Sequence, residues 1–219
     1  FMLGMGAFEA YGRHLGFQPS LRDNAGLWSM NRDRAIGDVL AVVGSSRAQL
    51  GLDMDALNEL SKDRKVVQLS INGSSSLLVL EDLSEDPSFK GSVMMEINPI
   101  YFFFTDQDPT HSNRAGEKLK SHAAASAWRP YEQQFLMAIQ SRFVFGLPQL
   151  APQHVLKKWA KGTHPEPDIF TLRSDRWRRA DYASLSEKKK SDLAKRQRKY
   201  YSEKGDTTCE NVLPDLIAR

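Results

Sequence analysis

The chain has 219 residues, of which 41% are hydrophobic and 26% are charged, with 14 Gly, 10 Pro and one Cys. This composition excludes disordered, collagen-like and disulfide-stapled chains, because there is enough apolar surface for a core and one cysteine cannot form an internal bridge. The formal net charge is only +3, so the balance of charge gives no reason to expect a nucleic acid partner.

The beginning of the sequence predicts a lead-in segment, residues 1–33, ahead of the main domain. The chain opens on Phe1 rather than Met, and residues 1–8 are almost entirely apolar. That run is far shorter than the roughly 18 to 20 residues that a helix needs to cross a bilayer. It is either the outer end of a membrane anchor that precedes Phe1 or the start of a buried helix.

Residues 34–99 alternate short β-rich runs with helical stretches, the pattern that predicts a parallel sheet. Apolar periodicity and turn residues predict two right-handed βαβ units. The predicted strands are 39–43, 66–71 and 93–97, and the predicted helices between them are 53–60 and 74–83.

After residue 100 the pattern becomes mostly helical, at 115–144 and again at 154–160. We interpret residues 105–165 as a helical insertion within a single α/β domain, residues 34–219. Residues 186–203 are strongly basic and predict a long helix with a solvated face.

Ligands of open parallel sheets bind beyond the carboxyl ends of the strands. Three such ends carry Gly44-Ser45-Ser46-Arg47, Asn72-Gly73-Ser74 and Ile97-Asn98-Pro99. They offer a hydroxyl, a flexible backbone amide and a side-chain amide, which are the parts of an acyl-transfer site: a nucleophile and two oxyanion donors. Each of these elements is also common in proteins without an active site, because serines cap helices and Asn-Gly and Asn-Pro end strands. The evidence for an acyl-transfer site is therefore their order along the chain.

These residues resemble the SGNH (GDSL-type) hydrolases and the related acyltransferase domains. Val43-Gly44-Ser45-Ser46 matches the first block, a strand ending in Gly-Asp-Ser, with Ser45 in place of the Asp and Ser46 at the nucleophile position. Gly73 matches the glycine of the second block, whose amide helps to form the oxyanion hole. Asn98 matches the asparagine of the third block, Gly-x-Asn-Asp, from which Glu96 and Pro99 depart.

The resemblance implies a flavodoxin-like, three-layer parallel sheet that is incomplete at its C-terminus, and a chemistry that needs no cofactor and no metal. In it Ser46 attacks the acyl group, and Gly73, Asn98 and the Ser46 amide stabilise the oxyanion. Arg47 either steers an anionic substrate or is a surface ion-pair partner. We assign Ser45 and Ser74 to substrate binding with it.

The family's fourth block, a C-terminal Asp-x-x-His that supplies the base, is missing. The chain has five histidines, and none has an aspartate three residues before it. A serine hydroxyl without an adjacent base is a poor nucleophile. We therefore expect either that the base comes from beyond Arg219 or that the domain has lost it and binds rather than cleaves.

The residues at the strand ends, Gly-Ser-Ser-Arg and Asn-Gly-Ser-Ser, are similar to those of membrane-tethered SGNH-like proteins of bacterial cell envelopes. This implies acyl-ester hydrolysis or O-acyl transfer at the extracytoplasmic face of a bacterial membrane. The implied partners are a small acyl donor or an O-acylated glycan, and a membrane-bound acyltransferase. The alternative is a non-catalytic binding or assembly domain. A nucleotide-binding module is disfavoured, since the first turn has neither Gly-x-Gly-x-x-Gly nor a P-loop lysine.

Overall fold

The computed structural model describes residues 2–62, 64–97, 109–183, 185 and 187–204. Their helices are α1 (Met2–His14), α2 (Ala25–Arg32), α3 (Ser46–Gly51), α4 (Met54–Leu60), α5 (Leu77–Glu85), α6 (Pro109–Ala123), α7 (Arg129–Gln140), α8 (Pro152–Trp159) and α9 (Glu187–Lys204), with a 3₁₀ turn at Pro148–Leu150. Their strands are β1 (Val39–Val43), β2 (Lys65–Gln68), β3 (Ser92–Met95), β4 (Phe170–Leu172) and β5 (Arg178–Ala180).

Three strands form a parallel sheet in the order β2-β1-β3. The central strand β1 is entirely apolar, and four of its five residues are buried. It pairs on one side with β2, Val39 opposite Lys65, and on the other with β3, Leu40 opposite Ser92. Helices α3 and α4 connect β1 to β2, and α5 connects β2 to β3. The α/β class and the predicted order of parallel strands and connecting helices are thereby confirmed.

One face of the sheet is covered by helices α2, α5 and α6. The segments of β1 and β2 and these helices share a buried apolar cluster, against which the partly buried Val93 of β3 packs: Trp28, Ala35, Val39, Ala41, Val43, Val67, Leu69, Ile71, Val79, Leu83 and Ala115. Trp28 of α2 is fully buried and its indole N–H donates to the Leu69 carbonyl at 3.0 Å. The predicted lead-in segment therefore contributes to the core of the sheet through α2.

The opposite face carries Val42 and Gln68, because side chains alternate along a strand. The buried Gln68 amide donates to the Ala48 carbonyl at 3.3 Å and contacts the Met54 sulfur at 3.8 Å. These contacts attach α3 and α4 to this face. The sheet is thus covered by helices on both sides.

The predicted helical stretch 115–144 divides into α6 and α7. Helix α6 packs on α2 and α5, and its Ala115 is fully buried in the core of the sheet. The segment that we interpreted as an insertion therefore supplies part of the cover of the sheet. The expected solvated helix is confirmed as α9, which is exposed along most of its described length.

A second apolar cluster lies away from the sheet and unites Phe17, Val144, Leu150 and Val155. Helix α1 packs against it through Phe8 and Tyr11. Within the described residues, no helix combines the length and the apolar character that crossing a bilayer requires.

The antiparallel hairpin β4-β5 was not predicted. Each strand has only three residues, and Arg178 and Arg179 break the apolar pattern. Its turn residue Arg176 has a φ of 62° and is fully buried against the edge strand β2, where its guanidinium donates to the Gln68 and Ser70 carbonyls at 3.0 and 2.9 Å. The hairpin thereby covers the outer edge of β2, which would otherwise present unpaired carbonyls.

Candidate functional site

The carboxyl ends of the three parallel strands meet at one edge of the sheet. Hydrogen bonding continues past the strand bounds: the Ile71 amide donates to the Gly44 carbonyl at 2.9 Å, and the Glu96 amide donates to the Val43 carbonyl at 2.9 Å. Ser46 and Gly73 follow directly on this edge, as expected for adjacent parallel strands. Asn98, the third predicted site residue, lies outside the described residues.

The turn after β1 is fixed through Ser45. This buried serine caps α3, where its hydroxyl oxygen accepts from the Arg47 amide at 3.4 Å. The same hydroxyl donates to Glu96 Oε2 at 2.7 Å, and the Ser45 amide donates to that oxygen at 2.8 Å. Ser45, one of the residues assigned to substrate binding, thus has its hydroxyl bonded to protein groups on both sides.

Ser46 is the first residue of α3 and is half-buried. Among the residues that the structure describes, no side chain hydrogen-bonds its hydroxyl. Arg47, next to it, is exposed. Of the two serines in this turn, Ser46 is the one whose hydroxyl is not engaged by the described part of the chain.

Glu96 is a site residue that the sequence analysis missed. We noted Glu96 only as a departure from the third family block. A carboxylate directly after the apolar run Val93-Met94-Met95 nevertheless indicates a polar residue at the end of a strand. A Cβ on Gly44 would lie 2.8 Å from the Glu96 Cβ and 2.9 Å from the Ala48 Cβ, so the close approach of β3 to the turn requires glycine. The second oxygen, Glu96 Oε1, is buried and has no hydrogen-bond partner among the described residues.

The turn after β2 is shaped by Gly73, whose φ of 64° lies in the left-handed region that favours glycine. Arg114 of α6 lies over it, donating from Nη1 to the Asn72 carbonyl at 3.1 Å. A Cβ on Gly73 would come within 2.5 Å of this Nη1. Ser74 is buried, and its amide donates to the Ile71 carbonyl at 3.3 Å, which closes the turn.

Two histidines have partners elsewhere. His122 Nδ1 lies 2.7 Å from the Ser29 hydroxyl, and His164 Nδ1 lies 3.1 Å from the Tyr11 hydroxyl. The described residues engage both of these imidazoles away from Ser46. They also contain no group of three or more His, Cys, Asp or Glu side chains that could hold a metal ion.

A cavity of about 1210 Å³ opens beside the Gly73 turn. Ile71 and Asn72 at the end of β2 form one wall, and Arg114 and Lys118 of α6 line it as well. Most residues between Gly16 and Ala25, residues 147–149, and the hairpin with the residues that flank it, 167–172 and 178–181, add to the lining. Arg114 thus belongs both to the cavity and to the carboxyl edge of the sheet.

The wall of the cavity contains a carboxylate held in a network of cations. Asp23 accepts from Arg176 at 2.9 Å, from Lys118 at 3.1 Å and from Gln49 at 3.1 Å. Burial alone would raise the pKa of Asp23, but Arg176 and Lys118, with the Gln49 hydrogen bond, outweigh it and lower the pKa to about 2. Burial in turn lowers the pKa of Lys118, against the attraction of Asp23.

Comparisons with known proteins gave no match: no family model, no curated protein and no solved structure is significantly similar to the chain. The resemblance of the strand ends to SGNH hydrolases therefore stays a prediction. It rests on the residues at the sheet edge alone.

Proposed function

We propose that the chain is an SGNH-type domain that hydrolyses or transfers an acyl ester, with Ser46 as the nucleophile and an O-acylated cell-envelope glycan as the substrate. The observation that supports the proposal is the position of Ser46 and Gly73 at the same carboxyl edge of a parallel sheet ordered β2-β1-β3. Catalytic residues of open α/β sheets are found at such edges.

In the proposed reaction the Ser46 hydroxyl oxygen attacks the acyl carbon, and its proton passes to a base. The ester C–O bond then breaks, the alcohol leaves with a proton, and the acyl group remains on Ser46 until water or an acceptor hydroxyl takes it. The Gly73 and Ser46 amides, with Asn98 by resemblance, stabilise the tetrahedral oxyanion. By resemblance the base is an Asp and His pair, and this sequence has no Asp-x-x-His match for it.

The Glu96 and Ser45 contacts support the choice of Ser46 over Ser45. The Ser45 hydroxyl is buried, caps α3 and donates to a carboxylate, so deprotonating it would place two negative charges 2.7 Å apart. The Ser46 hydroxyl neither caps α3 nor, among the described residues, donates to a carboxylate. We assign Ser45 and Glu96 the role of holding the turn in which Ser46 lies.

The remaining parts of the proposal follow from the resemblance. The domain acts at the extracytoplasmic face of a bacterial membrane on a small acyl donor or an O-acylated glycan, together with a membrane-bound acyltransferase. Arg47 and Ser74 contact the substrate. The formal net charge of +3 gives no reason to add a nucleic acid partner.

A non-catalytic binding or assembly domain is the second candidate. One observation favours it: among the described residues, no side chain hydrogen-bonds the Ser46 hydroxyl as a general base would. Under this reading the pocket persists and binds an ester without cleaving it.

Labelling with a fluorophosphonate tests the first proposal. Because the sequence has no Asp-x-x-His block, added imidazole should act as the base, and labelling of Ser46, located by peptide mass spectrometry, should rise with imidazole concentration. Ser46→Ala should abolish labelling, since loss of a nucleophile costs orders of magnitude in rate. Ser84→Ala is the matched control, because Ser84 is an exposed helical serine whose hydroxyl donates to the Glu81 carbonyl of its own helix. Equal labelling of wild type and Ser46→Ala would exclude Ser46 as the nucleophile, and no labelling at any imidazole concentration would favour the binding domain.

A further inference from the structure

Four arginines line the cavity beside the Gly73 turn, and none of them forms an ion pair with a carboxylate of the described chain. Arg22 donates to the Gly146 carbonyl and Arg114 to the Asn72 carbonyl. Arg178 lies over the Phe170 ring, 4.4 Å from its centroid, and Arg179 lies over the Trp177 ring at 5.1 Å. Their contacts in the described chain are to carbonyls and rings, and Arg179 also acts at longer range on Asp55, which Arg173 binds.

Within the described residues, no acidic side chain of the lining lies within ion-pair distance of these four groups. Asp23 is already bound by Arg176 and Lys118. Asp168 accepts from the Phe170 amide at 3.2 Å, and Asp181 accepts from the Ala183 amide at 3.1 Å. Glu117 is exposed on α6.

Arg114 lies between the cavity and the carboxyl edge of the sheet, where Ser46 is found. Its backbone is fixed because the next residue, Ala115, is buried in the core of the sheet. One Nη1 hydrogen bond, to the Asn72 carbonyl, holds the guanidinium against the Gly73 turn. A guanidinium has five N–H donors in a fork that matches the paired oxygens of a carboxylate or phosphate. Within the described residues, the Nη1 bond to Asn72 uses only one of these donors.

We propose that the cavity binds the anionic part of the substrate, a chain that carries carboxylate or phosphate groups, and that Arg114 is the residue that positions this chain against the sheet edge. This deepens the proposed function and rests on it for the ester that reaches Ser46. At about 1210 Å³ the cavity exceeds the roughly 300 to 1,000 Å³ of most small-molecule sites, which suits an extended ligand.

Binding measured by calorimetry on the whole 219-residue chain tests the proposal without requiring catalysis. The probes are hexagalacturonate, which carries carboxylates, linear hexaphosphate, which carries phosphates, and maltohexaose, which is neutral. We expect at least one anionic probe to bind about tenfold or more tightly than maltohexaose, because only the anions pair with guanidinium forks. The tighter of the two identifies the anionic group.

Arg114→Gln and Arg178→Gln should each weaken binding of the anionic probe about fivefold or more. Arg142→Gln is the matched control, since Arg142 is exposed, bonds through Nη1 to the Ala138 carbonyl and does not line the cavity. Equal affinity for maltohexaose, no binding of any probe, or the same loss in Arg142→Gln would overturn the proposal. Ser46→Ala should bind the anionic probe normally, so failure of the cavity and failure of the nucleophile are separate results.

Discussion

A single carboxylate oxygen of Glu96 accepts two hydrogen bonds from Ser45, 2.8 Å from the amide and 2.7 Å from the hydroxyl. The contact joins the end of β3 to the turn after β1. Both Ser45 donors are buried, and hydrogen bonds to an ionised acceptor are stronger than neutral ones. The orientation of the turn that contains Ser46 therefore depends on Glu96.

Glu96→Ala should lower the free energy of unfolding by about 2 kcal/mol, because it removes two charge-assisted hydrogen bonds and leaves buried Ser45 donors unpaired. Glu96→Gln should cost about half as much, since its amide oxygen still accepts. Urea denaturation measures both. Glu59→Ala is the control, an exposed glutamate on α4 for which we expect a change within about 0.5 kcal/mol. A Glu96→Ala variant as stable as this control would show that the contact does not hold the turn.

Gly73→Ala should destabilise the protein by about 1 to 2 kcal/mol, because alanine disfavours the left-handed φ of 64°. The added Cβ also meets Arg114 Nη1 at 2.5 Å, but that nitrogen ends a flexible side chain that can shift. The backbone part of the cost should therefore persist when Gly73→Ala is made in an Arg114→Ala background. Thermal or urea unfolding of the two single variants and the double variant separates the two parts.

Gly51→Ala is the contrasting change for this experiment. Gly51 lies at the end of α3 with nothing within 4 Å of an added Cβ, and alanine is the better helix former. We expect it to be neutral or stabilising. If Gly73→Ala behaved in the same way, the left-handed turn after β2 would not be a constraint on the site.

The sheet could be predicted from the sequence because its signals are local. Val39–Val43 is a continuous apolar run, and Met54–Leu60 has helical periodicity after a capping Asp53, whose side chain accepts from the Asp55 and Ala56 amides at 2.9 and 3.1 Å. The position of Ser46 and Gly73 at one edge followed from the parallel arrangement. These parts needed no knowledge of which strands are neighbours.

The contacts of the site could not be predicted, because they join residues that are distant in sequence. Glu96 reaches Ser45 because β3 pairs with β1, with Val43 opposite Met95. No local sequence pattern predicts which strands are neighbours in the sheet. Arg114 lies over Gly73 because α6 packs on α2 and α5, which its own periodicity does not indicate. Arg176 was missed for a related reason, since a charged turn residue normally predicts solvent exposure rather than full burial.

Arg176→Met should destabilise the protein by about 3 to 5 kcal/mol, the cost of removing one partner from a buried ion pair. The change leaves the Gln68 and Ser70 carbonyls and the Asp23 carboxylate without their shared donor. Arg176→Lys should not restore stability, because one ammonium cannot reach three acceptors held by a planar fork. Arg179→Met, on the neighbouring strand and exposed, is the control for loss of a positive charge. A small effect at Arg176, equal to that at Arg179, would contradict the role of the hairpin as the cover of β2.

The low pKa of Asp23 predicts a loss of stability in acid. The carboxyl has a pKa of about 2 in the folded protein against 3.8 as its ordinary value, so the unfolded chain takes up a proton first as the pH falls. The stabilisation is complete above the unfolded value and disappears between about pH 4 and pH 2, with a total of about 2 kcal/mol. Urea unfolding at a series of pH values measures this slope.

Asp23→Asn removes the titrating group, so its stability should be lower than that of the wild type at pH 7 and should fall less steeply between about pH 4 and pH 2. The slope will not vanish, because the Ser88 hydroxyl and amide, with Arg32, also lower the pKa of Asp86 to about 2. The double variant with Asp86→Asn should therefore be flatter than either single variant. Glu59→Gln, an exposed change outside both networks, should keep the wild-type slope. If Asp23→Asn also kept it, the ion network in the cavity wall would not contribute to stability through the Asp23 carboxylate.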